Sequence, residues 1–254
     1  MILNFLFALQ FLTIIPVKMS GLFNEEKLSQ SVIYFPLIGI LLGLLLAGLN
    51  LIFSFFAVPM ILTNTALVVT HIILTGGLHL DGLADTADAF LSGKKERENL
   101  LEILRDPHIG AMGVLSLISV ILLKIALVSS VDESKKGIAI ILMCFLSRAA
   151  LILPLYLFKY ARNEGKAKIF FGSLNIKKCI LLNTAVLLFS FLVAGWNGVF
   201  IFSAVVLCTY FFTLRINKRL DGLTGDILGA SVELNELLIL TVYFILMKVR
   251  YLKR

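Results

Sequence analysis

The chain has 254 residues, of which 59% are hydrophobic and only 15% charged. An ordinary soluble domain carries about 25% charged residues, and a mean hydropathy of +0.98 excludes one here. The net charge of +7 is not a nucleic-acid footprint. Its basic residues sit in stretches between apolar runs, where they suit anionic lipid headgroups and a polyanionic substrate.

The opening segment, MILNFLFALQFLTIIPV, lacks a basic leader and a small-residue cleavage site, so it reads as a retained short or interfacial helix. Residues 32–80 and 179–214 contain no Asp, Glu, Lys or Arg. A crossing helix needs about 20 apolar residues, so the first run holds two crossings and the second a tight pair. Spans are expected at 32–57, 60–79, 113–131, 138–158, 180–195, 198–214 and 227–247, with turns at Pro59, DESKKG (132–137) and GWNG (195–198). Backbone groups in lipid must satisfy one another within the segment. The prediction is an all-α polytopic membrane bundle of about seven transmembrane helices plus the short N-terminal helix, forming one domain over 1–254. Alternate loops 18–31, 81–112, 159–179 and 215–226 hold fifteen Lys and Arg, against two in the 132–137 turn and four in the C-terminal tail. The positive-inside rule makes the first face cytoplasmic, although the tail KVRYLKR runs against it if the last helix crosses fully. Cys144, Cys179 and Cys208 lie in or beside apolar segments with no metal or disulfide spacing, and packing accounts for them.

The stretch TGGLHLDGLADTADA (75–89) ends the first apolar run with Asp81, Asp85 and Asp88. Their i, i+4, i+7 spacing puts the three within an arc of about 60° on a helix. Burying one Asp at the centre of a span costs about 2.5–3.5 kcal/mol, and three facing lipid would cost about 7–10 kcal/mol. They must face water, cations, or both. A solvated loop helix with acids near its N-terminus is the plainer reading; three acids on one stripe among small residues favour a cation site. Oxygen ligands without a Cys/His cluster suit magnesium rather than zinc. Asp81 and Asp88 are about 10.5 Å apart along a helix axis. Either two ions are bridged by Asp85, or one ion leaves an Asp free as general base.

Next comes LEILRDPHIGAMG (101–113), where Arg105, Asp106 and His108 crowd ahead of a span. Arg105 either clamps a phosphate or pairs with Asp106. Lys124 and Arg148 lie mid-span, where cations are functional candidates. Arg148 is expected to pair with a carboxylate or with substrate, and Lys124 to snorkel or pair structurally. His71 reads as a hydrogen-bonded core residue. His79 points away from the acidic stripe on a continuous helix, but joins the site if the segment is broken. In LDGLTGDILGASVELNEL (220–237), Asp226 and Glu233 share a face with Gly229 and Ala230 near it and Glu236 at its edge. The preceding GLTG, with Thr224, resembles a phosphate-binding turn at a helix start, though ordinary turns share the pattern. The residues alone imply metal-assisted chemistry on a diphosphate and leave phosphoalcohol transfer, prenyl transfer and ion-coupled transport open.

GGLHLDGLADTADAF, RDPHIGAMGVLSL and LTGDILGASVELNE, with FALQFLTIIPV and YFPLIGILLG (34–43) before them, resemble the signature segments of the cobalamin synthase family, the adenosylcobinamide-GDP ribazoletransferases. The segments occur in the family's order from about residue 5 to 236. The resemblance implies transfer of the cobinamide-phosphate of adenosylcobinamide-GDP to α-ribazole or its 5′-phosphate, with GMP leaving. It implies Mg2+, with Mn2+ as a substitute, held by Asp81, Asp85, Asp88, Asp226 and Glu233. Asp85 or Asp88 would be the base, and His79, Arg105, Asp106, His108, Arg148, Thr224, Asp226 and Glu236 would bind substrate. The implied setting is the cytoplasmic (inner) membrane of a prokaryote, multi-pass, with the active site facing the cytoplasm. Partners would be the two substrates and membrane lipids, with no nucleic acid and with room for a homo-oligomer. The alternatives are an intramembrane prenyltransferase or a CDP-alcohol-type phosphotransferase; DGLADTAD departs from the latter's spacing.

Overall fold

The computed structural model describes residues 1–17 and 24–252, and it is built from helices joined by short turns. The helix α1 (Ile2–Leu12) precedes α2 (Glu25–Ser29), which runs through a 3-10 turn into α3 (Phe35–Phe55). Then follow α4 (Met60–Thr75), α5 (Leu78–Leu91), α6 (Arg97–Ile103), α7 (Ala111–Ser129), α8 (Glu133–Ala149) and α9 (Ile152–Leu157). The chain ends with α10 (Ile176–Ala194), α11 (Trp196–Leu220) and α12 (Gly225–Leu252).

Six of the helical stretches are long and apolar enough to cross a membrane, and the bent pair α4–α5 makes up to seven. The expected short N-terminal helix is α1. The spans fall where the apolar runs place them, with one correction. The second, expected over 60–79, stops at Thr75, and the chain turns by 89° into α5. The turn uses Gly76 and Gly77 in succession, at φ 61° and 69°. Only glycine visits that region without steric cost. Having turned, α5 lies against α7 and α12.

The centre of the bundle is α8, in which every residue from Leu142 to Ala149 is buried, whereas α10 buries few residues and its leucines face outward as lipid contacts require. α3 packs tightly on it because Gly39 and Gly43 leave no side chain between the backbones. A Cβ on Gly43 would stand 2.7 Å from the Ile141 Cα. α12 runs 28 residues, about 42 Å at 1.5 Å per residue, which is long enough to cross fully. Its far end lies beside the α7–α8 turn, where the Tyr243 hydroxyl donates to the Lys135 carbonyl (3.4 Å). Lys248, near the end of α12, therefore lies beside the α7–α8 turn on the face opposite the start of α12.

The loops after α5, α9 and α11 are tied together at one end. Ala161 N–H donates to the Leu223 carbonyl and Leu223 N–H to the Lys159 carbonyl, both at 2.9 Å. Arg97 on α6 donates to the Leu220 carbonyl (2.7 Å) and the Ala161 carbonyl (3.0 Å).

Candidate active site

The acidic helix α5 and the start of α12 meet through glycine. A Cβ on Gly82 would stand 2.6 Å from the Asp226 carbonyl oxygen, and one on Gly229 would stand 3.3 Å from the His79 backbone. Absent side chains at this crossing allow Asp81 and Asp85 to approach Asp226, although the two acids lie some 140 residues from it in sequence. Thr224 is the N-cap residue of α12. Its carbonyl accepts from Leu228 N–H (3.2 Å), and its hydroxyl lies 3.2 Å from the Asp226 carboxylate.

Asp81 and Asp226 line a cavity of about 260 Å³ that opens at this end of the bundle. Its charged side also carries Tyr160, Arg162 and Lys166 from the loop after α9. Arg162 donates to Asp226 Oδ2 (3.1 Å) and to the Leu104 carbonyl (2.9 Å), which fixes it over α12. The lining also includes apolar residues: Phe11, partly exposed, with Leu12, Phe35, Leu155 and Phe170 buried around it. His79 forms part of the wall; it is buried, and its Nδ1 has no hydrogen-bond partner among the described residues.

Asp85 sits one helical turn beyond Asp81 and is half-buried. Burial, then the carboxylates of Asp81, Asp226 and Asp88, push its carboxyl up to about 7. Such an excess of negative charge is the field a cation would neutralise. Among the described residues no three Asp, Glu, His or Cys side chains are grouped closely enough to form a metal cage. Magnesium does not need one: it commonly takes one or two carboxylates and fills the remaining octahedral positions with substrate phosphates and water. Asp81 and Asp226, beside a cavity with a cationic wall, fit that habit.

The structure separates the other expected site residues from this group. Asp88 shares the stripe, but its carboxylate accepts the backbone N–H groups of Gly110 (2.7 Å) and Gly113 (2.8 Å). It caps the N-terminus of α7 from a neighbouring helix, and those two glycines leave the room it fills. Glu233 and Glu236 lie deeper in the bundle. Lys124 reaches Glu233 at 2.6 Å and Glu236 at 2.5 Å, and Arg148 pairs with Glu236 and donates to His71 Nε2 (3.0 Å). All five side chains are 4% exposed or less. The two cations and two anions balance in the apolar interior. Of the two partners expected for Arg148, it has the carboxylate; Lys124 is likewise paired.

Arg105, Asp106 and His108 are exposed on the loop before α7. Asp106 accepts from the backbone N–H of His108 (3.0 Å) and lies 2.7 Å from its ring, and these bonds hold its carboxyl below the usual range. Arg105 is within electrostatic reach of Tyr160. The residues the sequence reading missed are Tyr160, Arg162 and Lys166. The signal for them existed in the 159–179 stretch, the most basic loop on the site's side, which served only to set orientation.

Fold and site define a multi-pass membrane protein with a small cavity, lined by both acidic and basic side chains, at one end of its bundle. The family model described as cobalamin-5-phosphate synthase matches residues 4–244, and the chain belongs to that family. It is therefore an enzyme, a transferase of cobalamin synthesis. The adenosylcobinamide-GDP ribazoletransferase of Pseudomonas savastanoi pv. phaseolicola is 36% identical over 240 residues, covering 94% of this chain and 97% of the relative. Proteins of the same name from Pseudomonas fluorescens (38% identical, 94% and 97% covered) and Desulfitobacterium hafniense (36%, 92% and 93%) are similarly related. No solved structure matches the chain.

Proposed function

We propose that this enzyme transfers the cobinamide-phosphate moiety of adenosylcobinamide-GDP to α-ribazole or its 5′-phosphate, giving adenosylcobalamin or its 5′-phosphate and GMP. The observation that carries the reading is the single cavity in which Asp81 and Asp226 face Arg162 and Lys166. A diphosphate and an alcohol must meet between such groups. The relatives' names supply the donor and the ribazole acceptor.

Asp81 and Asp226 would hold Mg2+, or Mn2+ in its place, with Asp85 beside them. When bound, such an ion supplies charge neutralisation at the diphosphate. Arg162 is fixed by the Leu104 carbonyl and by Asp226, and it offers a guanidinium to the phosphate oxygens as charge develops on the leaving GMP. The ribazole hydroxyl oxygen bonds to the phosphorus next to cobinamide, and the bond from that phosphorus to the GMP oxygen breaks. Asp85, one helical turn beyond Asp81, accepts the hydroxyl proton. Asp88, held by two backbone amides, is left as a positioning residue for α7 rather than the base.

Thirteen Lys and Arg in the 81–112, 159–179 and 215–226 stretches on the site's face support a setting in the cytoplasmic membrane of a prokaryote, with the cavity open to the cytoplasm. The test is Asp85→Asn, assayed in lipid nanodiscs for GMP release from adenosylcobinamide-GDP. A loss of at least about 10²-fold with an unchanged melting temperature is expected. Turnover within a fewfold of wild type would remove Asp85 from the chemistry.

A further inference from the structure

The cavity is divided by chemistry, and the division distinguishes which substrate it takes. One wall is phenyl and aliphatic. Phe11 is the partly exposed ring; the buried ring of Phe170 lies behind it with centroids 4.6 Å apart, Phe35 is 5.4 Å from Phe170, and Leu12 and Leu155 pack beneath, also buried. No hydrogen-bonding side chain belongs to that wall. A guanine base presents several donors and acceptors on its edges, and burying them there unpaired would cost several kcal/mol in an apolar reference. The dimethylbenzimidazole of ribazole is flat, aromatic and methylated, with almost nothing to satisfy. Edge and face contacts with phenyl rings suit it. The volume of about 260 Å³ also lies below the range of ordinary small-ligand pockets, about 300–1,000 Å³. A riboside of one two-ring base fits such a space, and a corrin macrocycle does not.

The other wall carries Lys166, which is exposed and has no ion pair among the described residues, unlike its neighbour Arg162. An unpaired ammonium at the mouth is suited to a phosphate on the occupant.

We propose that this cavity seats the acceptor, with its base against Phe11, a ring held from behind by Phe35 and Phe170, its 5′-phosphate at Lys166 and its hydroxyl toward Asp81 and Asp226. The donor's corrinoid stays outside the mouth and presents only its diphosphate. Lys166 then determines the preference for phosphorylated over unphosphorylated ribazole. The inference rests on the proposed function for the identity of the acceptor.

The experiment uses the full chain in nanodiscs without donor, so that binding needs no turnover. Wild type, Lys166→Ala, Lys166→Arg and Phe11→Ala are titrated with α-ribazole and with its 5′-phosphate, read by the fluorescence of the base, and with GMP. Lys166→Ala should weaken the phosphorylated ligand on the order of tenfold, leave the unphosphorylated one unmoved, and be largely rescued by Lys166→Arg. Phe11→Ala should weaken both ribazole forms on the order of tenfold and GMP not at all; Phe11→Leu replaces it if its melting temperature falls. Unchanged ribazole binding in both variants overturns the proposal, as does a loss confined to GMP. If wild type binds ribazole phosphate with these dependences yet never releases GMP from the donor, the proposed function fails and the seat stands.

Discussion

Replacing Gly82 by alanine tests whether the α5–α12 crossing sets the site. The added Cβ would meet the Asp226 carbonyl oxygen at 2.6 Å and its Cα at 2.9 Å, both backbone atoms that cannot swing aside. Ordinary contact begins at 3.4 Å, so the helices must part by about 0.8 Å (3.4 less 2.6). Overpacking of this kind costs about 1–3 kcal/mol. The larger effect falls on chemistry, since Asp81 and Asp85 move away from Asp226, and misplacement by about 1 Å can cost about 10²-fold. Gly229→Ala is the control, because its Cβ would stand 3.3 Å from His79, a tenth of an ångström inside ordinary contact. GMP release and thermal melting in nanodiscs are measured for both variants. Gly82→Ala should lose far more turnover than its melting temperature accounts for, and Gly229→Ala little of either. A Gly82→Ala enzyme with wild-type turnover would refute the idea that this backbone approach assembles the site.

Asp88→Ala removes the acceptor for the Gly110 and Gly113 amides and should cost about 1–2 kcal/mol, a cap's worth, seen as a lower melting temperature and faster proteolysis of the loop before α7. Glu236→Gln leaves Arg148 without its charge partner in the interior and should destabilise the protein by about 3–5 kcal/mol, whereas pairing it with Arg148→Met should recover part of the loss in urea or thermal unfolding. The Asp85 carboxyl is raised in the folded protein, so the native state binds more protons than the unfolded one between its ordinary value and about 7. Metal-free protein should therefore lose stability as pH rises through that window. Melting curves from about pH 4 to about pH 8 check this; added Mg2+ should flatten the fall, and a stability that rises with pH at low ionic strength contradicts the crowding of carboxylates.

The apolar runs determined the spans by themselves, because a lipid-exposed backbone has one way to satisfy its hydrogen bonds and length decides where it crosses. The acidic helix and the start of α12 were also legible, since burying carboxylates in lipid is too costly to occur without purpose. Seven residues of helix carry Glu233 about 10.5 Å below Asp226. That shared face says nothing of depth, and at that depth it is Lys124, from another helix, that makes its charge tolerable. Asp88 lies on the same stripe as Asp81, yet a loop more than twenty residues away supplies its partners. Tyr160, Arg162 and Lys166 enter the site through backbone pairing between two loops, a contact that periodicity cannot register. Helix periodicity fixes the direction of a side chain about its own axis. Which groups stand opposite it depends on how separate helices cross, and here glycines and loop hydrogen bonds decide that.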